Sequence, residues 1–302
     1  MLFEGTEKKF EILVGPDGPD LRALGRDFWE RIIAASRAEI LSHTQSRELD
    51  AYLLSESSLF VNQRWAVMIT CGQTTLIDGL LTFLAEVDQR HLLSLIYERK
   101  NENFPAEQRS SFAQDVARLR ERIDGADLIF GDPQGDRISL FHLHRPHQPD
   151  ADDATLELLM HDIDDEAAAL FAAGGPSRAE LRQRLGLNAL LPGFAFDDHV
   201  FTPQGYSLNA VRDASYATMH VTPERDSSYA SFEMGWGFDA AQARRTVTGL
   251  LAVLQPRRAD MLVFARDIDA GALPADYRAD RRCSVQLPCG YPVEYVHLIK
   301  EL

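Results

Sequence analysis

LDAYLLSESSLFVNQRWAVMIT, residues 49–70, sets the fold class. Its two apolar runs, 49–54 and 65–70, read as strands, and no helix-length segment lies between them. Strands that follow one another without a helix pair antiparallel, because a parallel connection needs a long crossover. The polar centre, Leu54-Ser55-Glu56-Ser57-Ser58-Leu59-Phe60, reads as the turn of a hairpin. The same residues also offer a nucleophilic serine, but that chemistry needs a base and an oxyanion donor that the local sequence does not supply.

Outward from this stretch the chain mixes short strands with amphipathic helices. Strands are expected at 10–14, 128–130, 138–144, 217–221, 229–232, 261–265 and 293–299. Apolar residues at helical spacing mark helices at 24–35, 74–88, 112–123 and 240–254. Residues 145–154, rich in Pro and Asp, and 172–176, with Gly-Gly-Pro, read as surface connections near the middle. Each half carries strands and helices, which permits a duplicated architecture although no sequence repeat is visible.

The chain has 302 residues, enough for one large domain or two small ones. It carries 31 basic and 46 acidic residues, a net charge of −15, which excludes binding of nucleic acid or an anionic membrane through bulk charge. Three cysteines, Cys71, Cys283 and Cys289, are too few for a disulfide framework and point to a reducing compartment. No apolar run approaches the roughly 20 residues that span a bilayer. These features together lead to the expectation of a cytoplasmic protein.

Several small constellations carry candidate chemistry. Thr70-Cys71-Gly72 ends a strand just before a helix, where a cysteine is expected to be partly exposed with an altered pKa. A small buried residue at a tight turn is the plainer reading. Gly205-Tyr206-Ser207-Leu208-Asn209 reads as a turn presenting a polar side chain, and His220 alternates with apolar neighbours, so it faces one side of a strand. With Ser207 on a neighbouring strand the two would share a site. His142, His144 and His147 have a spacing that suits a metal, but an exposed strand running into a Pro-rich loop explains it, so no metal is expected. There is no phosphate-binding loop, dinucleotide fingerprint or zinc-protease helix.

Seven segments, in order, resemble the eukaryotic-type S-adenosylmethionine decarboxylase family. They begin with Phe3-Glu4-Gly5-Thr6-Glu7-Lys8, Tyr52-Leu53-Leu54-Ser55-Glu56-Ser57-Ser58-Leu59-Phe60-Val61 and Thr70-Cys71-Gly72. Thr155-Leu156-Glu157-Leu158-Leu159-Met160 and Phe201-Thr202-Pro203-Gln204-Gly205-Tyr206-Ser207-Leu208-Asn209 follow. His220-Val221-Thr222-Pro223-Glu224 and Ser228-Tyr229-Ala230-Ser231-Phe232-Glu233 complete the set, and the stretch after about Pro256 matches loosely.

The resemblance implies an α+β fold, a four-layer αββα sandwich of two antiparallel sheets in a single domain over residues 1–302. It implies a proenzyme that cuts itself between Glu56 and Ser57 into chains 1–56 and 57–302, leaving a pyruvoyl cofactor made from Ser57. Ser207 would hold the reacting carbonyl, and His220 would remove the Ser57 α-proton. The pyruvoyl group would take S-adenosylmethionine as a Schiff base and act as electron sink, and Cys71 would protonate the substrate α-carbon. Phe3 and Phe201 would flank the adenine, Glu224 would accept from the ribose hydroxyls, and the Glu56 backbone would meet the adenine edge.

Putrescine-stimulated relatives carry a buried acidic site whose members match Glu11, Asp153, Glu157 and Glu233, with Thr155 beside them. They also carry a lysine where this chain has Ile69, and plant-type relatives that need no putrescine carry an arginine where it has Lys9. A resident cation would replace the diamine's charge. Two other readings compete: a pyruvoyl-dependent ornithine or arginine decarboxylase on the same fold, and a non-catalytic activating paralogue. The presence of Ser57, Cys71, Phe3, Phe201 and Glu224 ranks both lower. The resemblance leaves monomer and homodimer open.

Overall fold

The computed structural model describes residues 5–133, 135–172, 174–224, 227–265 and 273–301. It divides into two compact units. The N-terminal unit holds Thr6–Gln148 with Pro288–Gly290, and the C-terminal unit holds Met1–Gly5, Pro149–Leu287 and Tyr291–Leu302.

In the N-terminal unit the strands are β1 (Lys8–Val14), β2 (Ile40–Gln45), β3 (Asp50–Leu54) and β4 (Ser57–Val61), then β5 (Trp65–Thr70), β6 (Leu92–Lys100), β7 (Gly125–Gly131) and β8 (Arg137–Leu143). Helices α1 (Arg26–Ala35), α2 (Leu76–Glu86) and α3 (Phe112–Arg120) interrupt them. The sheet order is β2-β3-β4-β5-β1-β6-β8-β7, antiparallel throughout.

The C-terminal unit repeats this plan. Its strands are β9 (Thr155–His161), β10 (Ala195–Val200), β11 (Tyr206–Arg212) and β12 (Ser215–Thr222), then β13 (Tyr229–Gly235), β14 (Arg258–Phe264), β15 (Tyr277–Gln286) and β16 (Pro292–Lys300). Its helices are α4 (Asp165–Ala169), α5 (Arg178–Arg184), α6 (Leu187–Leu190) and α7 (Ala240–Leu254). The order β10-β11-β12-β13-β9-β14-β16-β15 is the first sheet's order with every strand advanced by eight. The α+β class with two antiparallel sheets is therefore present, and the duplication that the halves permitted is real at the level of topology.

Each sheet lays one face against its own helices. Phe10, Ile12 and Val14 of β1, with Met68 and Tyr97, pack on Trp29 and Ile32 of α1 and Leu80 and Phe83 of α2. Leu158, Leu208, Met219, Phe232 and Met261 pack on Val247, Leu250 and Leu254 of α7. Burying such a side chain contributes roughly 1.5–3 kcal/mol. The alternate residues of β1, β5 and β9 are buried too, so both faces of these strands are removed from water. Among them are the charged residues Lys9, Glu11 and Glu157.

Among the described residues no helix is long and apolar enough to cross a membrane.

Helices α1 and α2 meet closely at Gly79, where an added Cβ would lie 2.0 Å from Ser36 Oγ and 2.9 Å from the Ile32 carbonyl oxygen. The Ser36 hydroxyl is held in place by donating to that same carbonyl at 3.0 Å. A glycine-to-alanine change inside a helix ordinarily gains up to about 1 kcal/mol. Here the clash reverses the sign: Gly79→Ala should lose about 1–3 kcal/mol, read as a lower denaturation midpoint in urea. Unchanged or increased stability would refute this packing.

Candidate active site

Strands β3 and β4 form a hairpin with Leu54 opposite Ser57 and a turn of only Ser55-Glu56, so most of the stretch 54–60 expected as a turn is strand: Ser57–Val61 is buried and pairs on both edges. The Ser55 N–H donates to the Glu39 carbonyl at 2.8 Å, and Ser55 Oγ accepts from the Glu39 N–H at 3.0 Å. Ser57 opens β4 with φ of 133°, in a region L-residues rarely adopt, and is only 1% exposed. Such a conformation costs about 1–3 kcal/mol and persists only where the surroundings over-determine it.

The other end of the site is the exit of β5, where Thr70 lies opposite Ser57. The Cys71 N–H donates to the Glu56 carbonyl oxygen at 3.0 Å, and the Cys71 thiol donates to the same oxygen at 3.5 Å. The carbonyl of the Glu56–Ser57 peptide thus accepts two donors from one residue. The turn that presents them is locked: Gly72 takes φ of 63°, and Thr74 Oγ1 lies 2.8 Å from the Cys71 carbonyl and 2.9 Å from Thr70 Oγ1. Lys8 donates from Nζ to the Gly72 carbonyl at 3.0 Å.

Cys71 is buried, as the plainer reading of a small residue at a tight turn has it, and not partly exposed. Burial pushes its thiol well above the ordinary range, the charges of Glu56 and Glu7 add to this, and Lys8 opposes them. Burial also pushes the Glu56 carboxyl up to about 7, again against Lys8. Glu56 Oε2 is buried with no hydrogen-bond partner among the described residues. In the sequence Lys8 and Glu7 stand out only as part of a motif. Their signal was charge on a strand start that the structure buries at 3% and 5% exposure.

The C-terminal unit holds the second group. Ser207 on β11 lies opposite His220 on β12, and Ser207 Oγ is 2.9 Å from His220 Nδ1. Thr218 Oγ1 is 2.9 Å from His220 Nε2, and its hydroxyl donates to Asn209 Oδ1 at 3.2 Å. All four side chains are buried. Burial pushes the His220 imidazole down to about 3, so it is neutral throughout the physiological range. Phe201 lies beyond β10 in a turn closed by its N–H donating to the Gly205 carbonyl at 2.9 Å. Its ring meets the His199 ring edge-on at 4.7 Å, and both line a cavity of about 640 Å³ with Gly175 and Arg178. Glu224 is half-buried just after β12. Phe3 lies outside the described residues.

The charged residues divide in the same way. In the N-terminal unit Lys9 Nζ is 3.4 Å from Glu11 Oε2, as their spacing on one strand face required. A second buried pair, Lys100 with Glu98 on β6, was not anticipated, and Glu98 lies opposite Lys9 in register. In the C-terminal unit Asp153 accepts from the Tyr291 hydroxyl at 2.7 Å, and burial holds its carboxyl up at about 7. Glu157 lies opposite Glu233, which accepts from the Tyr216 hydroxyl, and Thr155 is buried at the start of β9. His142 is buried, whereas His144 lies past the end of β8, exposed, 3.5 Å from Asp124. No group of His, Cys, Asp and Glu among the described residues could hold a metal ion.

The family model of adenosylmethionine decarboxylase matches residues 1–293. The S-adenosylmethionine decarboxylase proenzyme of Dictyostelium discoideum is 33% identical, over 88% of this chain and 75% of its own. That of Catharanthus roseus is 30% identical over 99% of this chain and 91% of its own. The crystal structure of a Trypanosoma brucei AdoMetDC-delta26 monomer superposes with a TM-score of 0.63 at 25% identity, covering 81% of this chain and 99% of that one. The fold and the family match define a decarboxylase of the α+β type with two antiparallel sheets. The chain belongs to the adenosylmethionine decarboxylase family.

The electrostatics around the hairpin can be measured by titration with Ser57 replaced, so that the hairpin stays one chain whatever Ser57 does. In Ser57→Ala the Glu56 carboxyl should titrate near 7, followed by its ¹³C shift and assigned by loss of the signal in Glu56→Gln. Adding Lys8→Met should move the titration higher, because the ammonium favours the carboxylate. A Glu56 carboxyl titrating in the ordinary carboxylate range, or moving down without Lys8, would contradict the burial described.

Proposed function

We propose that this chain, which decarboxylates S-adenosylmethionine, is made as a proenzyme that cuts its own Glu56–Ser57 bond and converts Ser57 into a pyruvoyl group. The observation that carries the reading is the Glu56 carbonyl: it accepts from the Cys71 N–H and thiol while Ser57 is held in a strained backbone conformation. Donors fixed on a carbonyl oxygen stabilise the negative charge that builds there under attack. Ser57 Oγ adds to the Glu56 carbonyl carbon, the amide C–N bond breaks, and an ester and a free amine result. The neutral imidazole of His220 then takes the Ser57 α-proton. The ester C–O bond breaks, Glu56 leaves as a carboxylate, and residue 57 becomes dehydroalanine. Addition of water and loss of ammonia leave chains 1–56 and 57–302, the second starting with the pyruvoyl group.

That group supplies the electron sink for decarboxylation. The surrounding residues bind, orient and move protons. Phe201 and Phe3 flank the adenine, Glu224 accepts from the ribose hydroxyls, and the Glu56 backbone meets the adenine edge. Cys71, its thiol kept protonated by burial, delivers a proton to the substrate α-carbon.

Lys9, Glu11, Asp153, Thr155, Glu157 and Glu233 match by resemblance the charged positions that bind putrescine in some relatives. The Lys9–Glu11 and Lys100–Glu98 pairs support a resident counter-charge in its place.

Ser57→Ala should give one uncut chain with no turnover, by denaturing gel and intact mass; a normal cut would exclude Ser57 as nucleophile. Cys71→Ala keeps the main-chain N–H on Glu56, so it should mature yet lose turnover by about 10²–10⁴-fold, the range of a general-acid contribution. Normal turnover in that variant would remove the thiol from the mechanism.

Millimolar putrescine should leave wild-type processing and decarboxylation unchanged, and should stimulate Lys9→Leu. Strong stimulation of the wild type would mean that the lysines do not replace the diamine.

A further inference from the structure

The surroundings of His220 carry more than its placement. Thr218 has one hydroxyl proton, and the contact with the Asn209 amide oxygen, an atom that can only accept, takes it: Oδ1 lies 3.2 Å from Thr218 Oγ1. The 2.9 Å contact between Thr218 Oγ1 and His220 Nε2 then needs its proton from the ring, so Nε2–H donates to the threonine. In a neutral imidazole the other nitrogen, Nδ1, carries the lone pair, and at 2.9 Å it accepts from the Ser207 hydroxyl. The chain of donors runs one way: Nε2–H to Thr218, and Thr218 O–H to the amide oxygen of Asn209.

We infer that Thr218 and Asn209 are positioning residues that fix His220 as the Nε2–H tautomer and so make Nδ1, the nitrogen facing Ser207, the atom that receives the proton. This rests on the proton-abstracting role given to His220 above. The strand register makes the arrangement stiff: Ser207 faces His220, and Asn209 faces Thr218, on the paired strands β11 and β12. Asn209 and Thr218 are 0% and 1% exposed, so water does not compete for the relay. When Nδ1 takes a proton, Nε2–H keeps its acceptor, and the Ser207 hydroxyl turns from donor to acceptor. The relay resembles in logic the carboxylate behind a catalytic histidine, with a neutral hydroxyl and amide in its place. The neutral groups fix the tautomer without drawing a charge onto the buried ring. Were the direction reversed, with Thr218 donating to Nε2, Nδ1 would carry a hydrogen toward Ser207 and have no lone pair to offer.

The test uses direction rather than mere removal. Thr218→Val and Asn209→Leu break the relay, while Thr218→Ser and Asn209→Asp keep an acceptor at each step. In uncut Ser57→Ala protein, ¹⁵N shifts of the His220 ring should report Nε2 protonated and Nδ1 bare. Adding Thr218→Val or Asn209→Leu should shift population to the other tautomer, and Thr218→Ser or Asn209→Asp should not. With Ser57 intact, the breaking variants should accumulate the hydroxylamine-labile ester and complete the cut about 10–100-fold more slowly, the usual cost of losing an outer partner that orients a histidine. The first, ester-forming step should keep its rate. A protonated Nδ1 in the uncut protein would overturn the inference, as would wild-type tautomer and processing in Thr218→Val. If Thr218→Val fails to fold, the Asn209→Leu and Asn209→Asp pair decides by the same readouts. His220→Ala separates the levels: a stalled ester there with unaffected breaking variants ends the relay alone. Normal cutting in His220→Ala ends the role given to His220, while the ring shifts still report the tautomer.

Discussion

Strands buried on both faces are the constraint from which the rest of this protein follows. A polar side chain on such a strand has no water to turn to and must find a partner or give up its charge. On the helix-facing side the sequence meets this with Phe10, Ile12, Met68 and their counterparts in the second sheet. On the other side it places Lys9, Glu11, Glu98, Lys100, Ser207, Asn209, Thr218 and His220, all buried. Lysine and glutamate answer with ion pairs and His220 with neutrality. Removing one member of such a pair leaves an uncompensated buried charge, so these residues specify their neighbours more firmly than an apolar face would.

The two sheets share one strand order yet use it for different chemistry. The N-terminal hairpin β3–β4 carries the strained Ser57 and, at the exit of β5, the Cys71 donors. Of the equivalent strands β11, β12 and β13, β11 carries Ser207 and β12 carries Thr218 and His220, within strands whose pairing with both neighbours fixes them. A residue at a strand end can be strained and can be cut without opening the sheet. A base within a strand gains rigid aim, at the cost of burial that weakens it. The two sheets share a strand order while their polar faces differ, and no repeat is visible in the sequence.

What the sequence reveals follows the same physics. β5 and α7 fall on the ranges their patterns predict, 65–70 and 240–254, because one is an unbroken apolar run and the other a clean amphipathic helix. The strand β6, LLSLIYERK, was missed because its charged residues are buried and its pattern is not that of a half-buried strand. The strand β15 was missed for the opposite reason: as an exposed edge strand, YRADRRCSVQ, it has almost no apolar face. Helices α4 and α6, five and four residues long, are too short to show a period. At the candidate site, motifs point to Ser57, Cys71, Ser207 and His220. They do not point to the clamp on the Glu56 carbonyl, because a main-chain N–H leaves no mark in the sequence. Thr218 was within reach: it sits two residues before His220 on one strand and so must share its face.

On the proposed sequence of events, Cys71 serves two stages with different atoms. Its main-chain N–H belongs to the turn and holds the Glu56 carbonyl whatever the side chain is. Its thiol is tuned separately. Burial, Glu56 and Glu7 all disfavour the thiolate, and Lys8 opposes them. A thiol that stays protonated is a poor nucleophile, so it does not compete with Ser57 for the Glu56 carbonyl beside it. It remains a competent acid for the later step. Cleavage would strengthen the arrangement, since it places a new main-chain carboxylate at Glu56, and added negative charge beside a buried thiol raises its pKa further. On the proposed sequence of events, the first reaction therefore leaves the acid of the second more firmly protonated than before.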